Sequence, residues 1–410
     1  MTGYDVLIVG SGHGGVATAG TLRQLGFAGT VGIVSADRDE PYERPPLSKE
    51  YLVGEKDFHA IHARGPAFWN EKQIALLFGE TVTAVDPGAH QVVTASGRTI
   101  GYGKLVWAAG GEPRRLTCDG HQLGGLHAIR SRADVDALRS ELAVAERVVV
   151  IGGGYIGLEA AASLIKLGKS VTLVEALDRL LARVAAPPIS DFFLAQHRAR
   201  GVDLRLNSAV TCIEGEDDRV ARVLLADGTA LPTDIVIVGI GIVPSVGPLA
   251  AAGADCPNGV TVDEYCRTGL PDVYAVGDCA LHRNRFGPDR AVRVESVQNA
   301  ADQGHTVAHH IVGQPAPYAA TPWFWSHQYD LKLQTVGLNS DFDDTVLRGD
   351  PAGGRFSLVY LREGKVAALD CVNMVKDYVQ GRGLVERHAR ADRAALADPD
   401  TPLKSLVPQE

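Results

Sequence analysis

Two glycine-rich loops, each directly after a short apolar run, constrain this chain of 410 residues more than any other feature. The first is Gly10-Ser-Gly-His-Gly-Gly15, and the second is Gly152-Gly-Gly-Tyr-Ile-Gly157. In such a loop the first glycine permits a tight turn, the second lets a pyrophosphate approach the backbone, and the third lets helix and strand pack closely. Two such loops, about one domain length apart, predict a protein that holds two dinucleotides and transfers electrons between them.

The same order of strands and helices surrounds both loops. An apolar run at 5–9, a helix to about Leu25 and an apolar run at 30–34 form one βαβ unit, and the order recurs from 147 to 175. Each unit is followed by a hairpin pattern, around Gly97 and Gly228, that leads into another apolar strand. This duplication predicts an α/β fold of two Rossmann-like dinucleotide-binding domains, the first interrupted by the second.

The domain boundaries follow from where the pattern changes. After Val243-Pro244 the chain returns to the first domain, and beyond about Thr321 mixed strands and a polar helical tail replace the alternation. We therefore expect a first dinucleotide-binding domain of residues 1–112 and 241–321, and a second of 113–240. A small α+β C-terminal domain would occupy 322–410.

Charge and hydropathy exclude several classes of partner. The net charge is −9 and no Lys/Arg block is present, which argues against nucleic acid as the main partner. The stretch 235–254 carries no charge, but its glycines and prolines suit a buried strand and turn rather than a membrane span. The chain starts without a basic leader, so we expect a cytoplasmic protein that does not contact membranes.

The cysteines and histidines limit the chemistry further. None of the six cysteines forms a C-x-x-C pair, and none precedes Cys118, so we expect buried small residues rather than a thiol pair that exchanges electrons with a flavin. His305 and His309 are spaced i, i+4, but no third ligand is evident, so no metal site is predicted.

Four motifs, taken with the two glycine loops, resemble one family. They are Tyr42-Glu-Arg-Pro-Pro-Leu-Ser-Lys49, Gly152 to Glu159, Tyr274-Ala-Val-Gly-Asp278 and Pro322-Trp-Phe-Trp-Ser326. Together they resemble the FAD-dependent, NADH-consuming ferredoxin reductases of oxygenase systems, which have a glutathione-reductase-like fold. The resemblance covers essentially the whole chain. It implies FAD and NADH as cofactors, a [2Fe–2S] ferredoxin as electron acceptor, and a cytochrome P450 or Rieske oxygenase beyond it.

The first loop and its surroundings are assigned to FAD. Its glycines would hold the pyrophosphate at a helix N-terminus, and Asp37 is the acid for the adenosine ribose because Ala36 replaces an expected acid. By resemblance, Lys49 lies near the flavin N5 and could pair with Glu159, while Asp278 binds the ribityl chain or caps a helix. The full set assigned to FAD is Gly10, Gly12, His13, Gly14, Gly15, Asp37, Arg44, Lys49, Val82, Ala109, Gly110, Arg130, Asp278, Val297 and Trp325.

The second loop is assigned to NAD(H). Glu175 ends the next strand, where an acid accepts hydrogen bonds from a ribose 2′-OH and repels a 2′-phosphate; this favours NADH, although Arg179 lies nearby. Tyr155 either acts as a gate over the flavin or has only a packing role. Lys49, Glu159 and Tyr155 are the predicted catalytic residues. The full set assigned to NAD is Gly152, Gly154, Tyr155, Ile156, Gly157, Glu159, Glu175 and Gly241.

The sequence is less specific about the residues that face the electron acceptor. Trp323 and Trp325 are either core residues or lie near the flavin edge that faces the partner, and two departures from the family pattern occur here, at Val297 and His327. A basic patch for an acidic ferredoxin could draw on Arg64, Arg293, Lys332 and Lys376. The alternatives are a related NADH-dependent reductase of rubredoxin, monodehydroascorbate or oxygen, or a non-catalytic redox sensor like apoptosis-inducing factor.

Overall fold

The structure is a computed structural model that describes residues 2–408. Its contacts divide the chain into two compact units. The first unit contains the residues up to Glu43 together with Phe58–Glu112 and Pro244–Phe324. The second unit contains Arg44–Asp57, Pro113–Val243 and the residues from Trp325 onward. Each unit is built around one of the glycine loops.

The elements follow one another in three stretches of the chain. The first stretch contains β1 (Thr2–Val9), α1 (His13–Gln24), β2 (Val31–Ser35), α2 (Ala67–Glu71), β3 (Ile74–Phe78), β4 (Val82–Asp86), β5 (Gln91–Thr94), β6 (Thr99–Trp107), β7 (Gly111–Pro113), β8 (Leu126–His127), α3 (Arg132–Leu142) and β9 (Arg147–Ile151). The second contains α4 (Tyr155–Lys166), β10 (Ser170–Val174), α5 (Pro187–Ala199), β11 (Asp203–Arg205), β12 (Val210–Glu216), β13 (Arg219–Leu225), β14 (Ala230–Pro232), β15 (Ile235–Val238), β16 (Ile242–Pro244) and α6 (Gly247–Ala251). The third contains β17 (Val260–Thr261), β18 (Val273–Ala275), β19 (Ala280–Arg283), β20 (Ala291–Val292), α7 (Val297–Ile311), β21 (Trp323–Gln328), β22 (Leu331–Gly337), β23 (Asp344–Asp350), β24 (Arg355–Arg362), β25 (Lys365–Val372), α8 (Val375–Glu386) and α9 (Arg393–Ala397). Short 3-10 turns lie at Pro45–Ser48, His59–Ile61, Gly277–Cys279 and Leu403–Leu406.

In the sheet of the first unit, the strands around the glycine loop are parallel, and β4 and β5 at one side are antiparallel. Its strand order is β3-β2-β1-β6-β5-β4, and β18 also pairs with β6. The residues Val6 to Ile8 are completely buried, as expected for a parallel strand covered on both faces. The carboxyl ends of β1, β2, β6 and β18 therefore share one edge, where the first loop, Asp37, Ala109 and Gly277 follow them.

The second unit repeats this plan. Its five-stranded sheet β11-β10-β9-β15-β8 is parallel, and the hairpin strands β12-β13-β14 form a separate antiparallel sheet. Strands β9 and β10 are joined by α4 and enclose the second loop, so the duplication predicted from the sequence is present. The stretch 235–254 forms β15, β16 and α6. Within residues 2–408, no helix is both long and apolar enough to cross a membrane.

The last part of the chain forms an antiparallel sheet of different architecture. Its strand order is β21-β22-β25-β24-β23, and β24 and β25 are buried along almost their whole length. Helix α8 packs closely on it, because a methyl group added at Gly381 would lie 2.5 Å from Leu369 Cδ2. The predicted fold class, two Rossmann-like regions with a small α+β region, is confirmed.

Candidate functional site

At two positions of the first glycine loop, the backbone leaves no room for any residue other than glycine. Gly10 has a φ of 109°, and a methyl group there would lie 2.3 Å from the carbonyl oxygen of Ala108. A methyl group at Gly15 would lie 2.0 Å from the carbonyl oxygen of Gly10. These glycines thus allow the sharp turn out of β1 and the close packing of α1 on that turn.

The second loop repeats the same backbone. Gly152 has a φ of 110°, and a methyl group there would lie 2.4 Å from the carbonyl oxygen of Gly239. A methyl group at Gly157 would lie 2.0 Å from the carbonyl oxygen of Gly152, which is the distance found in the first loop. The first and third glycines of the two loops therefore have the same structural role.

Both loops leave a helix N-terminus available to an anion. Gly12 and Gly154 occupy the N-cap positions of α1 and α4, so no side chain caps the first N–H groups, and neither helix carries an acid in its first turn. Apart from its two chain neighbours and the adjoining helix backbone, a methyl group at Gly154 would meet no atom within 4 Å, so the rest of the unit leaves this position open to a pyrophosphate. Uncapped amides and the helix dipole both favour a phosphate there. The residues of each loop thus fit a dinucleotide.

Two acids of the first unit lie at strand ends, where a bound nucleotide would meet them. Asp37 is half-buried and follows β2, and its carboxylate accepts a hydrogen bond of 2.7 Å from the Tyr42 hydroxyl. Asp278 lies in the 3-10 turn after β18. Gln303 accepts a hydrogen bond of 2.7 Å from the Gly277 N–H, and Arg293 donates one of 2.8 Å to the carbonyl of Asp278. These bonds fix the turn that carries Asp278.

The remaining residues assigned to FAD are divided between the units. His13, Gly14, Val82, Ala109, Gly110 and Val297 lie in the first unit, with Val82 at the start of β4 and Val297 at the start of α7. Arg44, Lys49, Arg130 and Trp325 lie in the second unit. Within that unit the Arg44 guanidinium donates a hydrogen bond of 2.5 Å to the carbonyl of Arg130, so these two predicted residues are in contact.

A buried charged cluster lies at the first turns of α4. Lys49 Nζ is 2.6 Å from Glu159 Oε2, and the two side chains are only 13% and 3% exposed. Lys49 is positioned by the preceding 3-10 turn, whose prolines preset the backbone and whose Leu47 is buried. The pairing predicted between Lys49 and Glu159 is therefore present.

Two serines complete this cluster, and the sequence reasoning missed both. Ser48 donates a hydrogen bond of 2.6 Å to Glu159 Oε2, and Ser326 donates one of 2.7 Å to Oε1. Burial, followed by the nearby charge of Lys49, lowers the pKa of His327 on the same strand. Glu159 thus accepts three hydrogen bonds, as a buried carboxylate requires. Ser326 lies in the quoted Trp motif, but nothing in its spacing indicated this contact.

The acid of the second loop is engaged with the loop itself. Glu175 follows β10 directly, and its carboxylate accepts hydrogen bonds from the N–H groups of Gly153, at 2.6 Å, and Leu177, at 2.9 Å. The Arg179 guanidinium donates to the carbonyls of Ala182 and Ala185 and to the Ser190 hydroxyl. The Arg179 guanidinium is therefore hydrogen-bonded to the segment that follows it in the chain.

Two arginines that the sequence reasoning did not select lie beside Gly241. A methyl group at Gly241 would be 3.6 Å from one guanidinium nitrogen of Arg183 and 3.9 Å from Nε of Arg114. Gly241 follows β15 and shares the edge of the sheet at which the second loop lies. The two arginines are far apart in the sequence, so no local pattern could have found them.

Two expectations about charged and thiol side chains need correction. Arg293 is wrong as a docking cation, because its side chain is only 10% exposed and is paired with Glu295 at 2.7 Å. Arg64, Lys332 and Lys376 are exposed. All six cysteines are unpaired thiols, as expected, but only Cys266, Cys279 and Cys371 are buried and the other three are half-buried.

Comparison with known proteins identifies the family. The family model described as pyridine nucleotide-disulphide oxidoreductase matches residues 4–304, and the one described as reductase C-terminal matches residues 323–407. The 5,5′-dehydrodivanillate O-demethylase ferredoxin reductase subunit of Sphingobium sp. (strain NBRC 103272 / SYK-6) is 61% identical over 99% of both chains. A ferredoxin–NAD(P)+ reductase of Sphingomonas sp. is 57% identical over 99% of this chain and 98% of its own.

A solved structure agrees with this assignment. The chain matches putidaredoxin reductase in its covalent complex with putidaredoxin, with a TM-score of 0.95 and 38% identity over 99% of this chain and 98% of that one. The resemblance stated from the motifs is confirmed, and FAD and NAD(H) are the cofactors of this family. The chain belongs to the pyridine nucleotide-disulphide oxidoreductase family and, within it, to the ferredoxin reductases that carry a reductase C-terminal domain.

Proposed function

We propose that this protein takes a hydride from NADH onto FAD and passes the electrons singly to a [2Fe–2S] ferredoxin that supplies an oxygenase. The observation that carries the proposal is the pair of loops with matching backbones, one in each unit, each leading to an uncapped helix N-terminus. FAD, when bound, accepts a hydride and can release its electrons one at a time. The sequence contains no C-x-x-C pair that would divert them to a disulfide.

The first loop and the residues at its sheet edge hold FAD in this proposal. Backbone N–H groups of the loop bind the pyrophosphate, Asp37 binds the adenosine ribose and Asp278 binds the ribityl chain. The bond that Gln303 accepts and the bond that Arg293 donates support this role, because they fix the turn on which Asp278 lies. Arg44 and Arg130 are further FAD residues, as are Val82, Ala109, Gly110, Val297 and Trp325.

Lys49 is the residue that acts on the flavin, and Glu159 positions it. The carboxylate of Glu159 already accepts bonds from Lys49, Ser48 and Ser326. It is therefore engaged as an acceptor and holds the ammonium of Lys49 in one place, with little freedom to exchange protons with a substrate. A fixed cation of this kind stabilises negative charge that develops beside it during hydride transfer.

The second loop takes NADH in preference to NADPH. Glu175 provides a carboxylate at the end of β10, where a 2′-phosphate would be repelled. Arg179 gives no compensating cation, because its guanidinium is bonded to Ala182, Ala185 and Ser190. Arg183 and Arg114, beside Gly241, supply positive charge for the pyrophosphate.

The acceptor is a ferredoxin, and the oxygenase beyond it is a cytochrome P450 or a Rieske enzyme. The 61% identity with the reductase subunit of an O-demethylase supports an aromatic compound as the final substrate. The functional domains are 1–112 with 241–321 for FAD, 113–240 for NADH and 322–410 at the carboxyl end. A cytoplasmic location is part of the same proposal.

Anaerobic rapid mixing of the purified FAD-loaded protein tests the proposal. The flavin absorbance is followed after addition of NADH or NADPH, and the reduced protein is then mixed with [2Fe–2S] ferredoxins, with a rubredoxin and with monodehydroascorbate. We expect fast bleaching by NADH, slow bleaching by NADPH, and reoxidation fastest with a ferredoxin. A long-lived reduced protein that no ferredoxin reoxidises would contradict the proposal and support a redox sensor.

A further inference from the structure

A chain of buried polar side chains leads from α5 to the carboxylate of Glu159, entirely within the second unit. Its members are His197 on α5 and Gln328 and Ser326 on β21. His197 is completely buried, and Gln328 and Ser326 are each 1% exposed. Ser326 and Gln328 are two residues apart on one strand, so their side chains lie on the same face of the sheet. Burying three polar side chains together is costly unless each is hydrogen-bonded.

Each contact in this chain is a hydrogen bond of ordinary length. The Ser326 hydroxyl donates to Glu159 Oε1 at 2.7 Å. The side-chain amide of Gln328 donates from Nε2 to the Ser326 oxygen at 3.2 Å. The Oε1 atom of Gln328 is 2.8 Å from Nε2 of His197. These bonds join α5 to the carboxylate that pairs with Lys49.

The carboxylate of Glu159 has only acceptors, and this fixes the direction of every bond. The one proton of the Ser326 hydroxyl goes to the carboxylate, so the Ser326 oxygen accepts from Nε2 of Gln328. Oε1 of Gln328 then faces His197 and accepts from its Nε2–H. Burial lowers the pKa of His197 to about 4, so the ring is neutral at physiological pH and its Nδ1 is an acceptor. The Tyr329 hydroxyl donates to this Nδ1 at 3.0 Å, so donors and acceptors alternate without conflict.

We propose that Gln328 and His197 are positioning residues for the pair of Lys49 and Glu159, because they hold the Ser326 hydroxyl in the orientation that engages Glu159 Oε1. The other oxygen, Oε2, is then left to the Lys49 ammonium, 2.6 Å away. Without this support the Ser326 hydroxyl can turn away, and the carboxylate can rotate and release the ammonium from its single position. The inference rests on the proposed function, since it takes Lys49 as the residue that acts on the flavin.

The reduction potential of the bound FAD tests this role without relying on NADH. The potential is measured on the FAD-loaded protein with dithionite and a reference dye. Gln328→Met keeps the length of the side chain but removes the amide donor. We expect the reduced flavin to be stabilised about tenfold less, which lowers the potential of a two-electron couple by about 30 mV. The physical reason is that a mobile cation stabilises negative charge less well than a fixed one.

The kinetics of flavin reduction give a second measurement. In Gln328→Met, the rate of flavin reduction at saturating NADH should fall about tenfold. The NADH dissociation constant should stay unchanged, because the chain of bonds acts on the cation at the flavin and not on the nucleotide loop. Rapid mixing over a range of NADH concentrations separates the two quantities.

A double-mutant cycle with Glu159 separates positioning from general damage to the sheet. If Gln328 acts through Glu159, Gln328→Met should change neither the potential nor the rate further in a Glu159→Gln background. His197→Leu breaks the next bond of the chain and should lower both quantities. His197→Gln keeps an N–H donor for Gln328 and should restore them.

Ser357→Ala is the matched control. Ser357 is completely buried in the same sheet, and its hydroxyl donates to Asp377 at 2.9 Å, so it has no bond to the chain that ends at Glu159. This control should be less stable towards urea, because it also removes a buried hydrogen bond. It should keep the FAD potential and the rate of flavin reduction of the unsubstituted protein.

The outcomes distinguish the inference from the proposed function. If NADH reduces the unsubstituted protein and Gln328→Met changes neither the potential nor the rate, the positioning role is overturned and the proposed function stands. Equal changes in Ser357→Ala, or effects that add in the cycle with Glu159→Gln, also overturn it. If NADH does not reduce the unsubstituted protein, the proposed function is wrong, and the potentials alone decide the positioning role. Should Gln328→Met not fold, His197→Leu takes its place in the cycle.

Discussion

Gly14 in the first loop and Ile156 in the second occupy the same position of two matching backbones, but their surroundings are opposite. A methyl group added at Gly14 would lie 2.9 Å from Val276 Cγ2 and 3.3 Å from the carbonyl oxygen of Ala300. The Ile156 side chain, in contrast, is 44% exposed. The first loop is thus covered by its own unit at this position, whereas the second has space for a large side chain.

The helices next to the two loops show the same contrast. Helix α7 lies so close to α1 that a methyl group at Gly304 would be 2.7 Å from the carbonyl oxygen of Gly14. Helix α4 instead carries Glu159, whose carboxylate accepts hydrogen bonds from Ser48, Lys49 and Ser326, all distant in the chain. A covered loop suits a cofactor that stays bound, and a more open loop suits one that exchanges. Two loops with the same backbone geometry can therefore suit one cofactor that stays bound and another that exchanges.

Exchanging the two residues should have the largest effect. Gly14→Ile overfills the contact with Val276 and Ala300, so we expect a protein that purifies without FAD and whose free energy of unfolding falls by about 3 kcal/mol. Ile156→Gly costs only about 1 kcal/mol, because it adds a helical glycine without opening a core. For each variant, the flavin-to-protein ratio measures the FAD content and the midpoint of urea unfolding measures the stability. Normal FAD content in Gly14→Ile would show that the cover is unimportant.

Removing the buried charge of Glu159 in the second unit should have the next largest effect. Glu159→Gln leaves the Lys49 ammonium without a counter-charge, which should cost about 3 kcal/mol of stability and lower the rate of flavin reduction by NADH about a hundredfold. The control is Glu55→Gln, because Glu55 pairs with Lys166, which is also on α4, and both side chains of this pair are more than half exposed. That change should cost less than about 1 kcal/mol. Equal losses in the two variants would disprove the role of burial.

The pH dependence of stability tests the buried carboxyl of Asp370 in the C-terminal sheet, which accepts hydrogen bonds from Thr335 and Tyr360. Burial raises the pKa of Asp370 from its ordinary 3.8 to about 6. The folded state then binds more protons than the unfolded state between pH 4 and 6, so this group makes stability fall as the pH rises through that range. The unsubstituted protein should lose about 2 kcal/mol more than Asp370→Asn between pH 4 and 7. Parallel stability curves for the two proteins would show that Asp370 binds the same number of protons in the folded and unfolded states, so that its pKa is not raised by burial.

The nucleotide preference should give the smallest effect. Glu175→Gln keeps a hydrogen-bond acceptor for Gly153 and Leu177 but removes the negative charge. We expect the ratio of kcat/KM for NADH to that for NADPH to fall about tenfold, which corresponds to about 1.4 kcal/mol. Arg179→Ala should leave the ratio unchanged, because that guanidinium is bonded within its own loop. A lower NADPH activity in Arg179→Ala would restore Arg179 as a phosphate ligand.

The parts of the site that the sequence could predict are those set by local spacing. The turn at Gly10, the N-cap at Gly154 and the position of Glu175 after β10 follow from short patterns that strands and helices impose on their own residues. The motif around Lys49 was recognised because it is contiguous. For the same reason the alternation of strands and helices predicted the duplicated fold and its interruption.

Only the tertiary structure decided which distant residues meet. Ser326 bonds to Glu159, Arg183 and Arg114 meet at Gly241, and Thr335 bonds to Asp370, although each contact joins separate parts of the sequence. Arg293 looked like a surface cation but is used inside the first unit. The sequence by itself determined two loops for two dinucleotides, because their geometry is local. Their unequal surroundings came from packing, which brings together residues that no spacing relates.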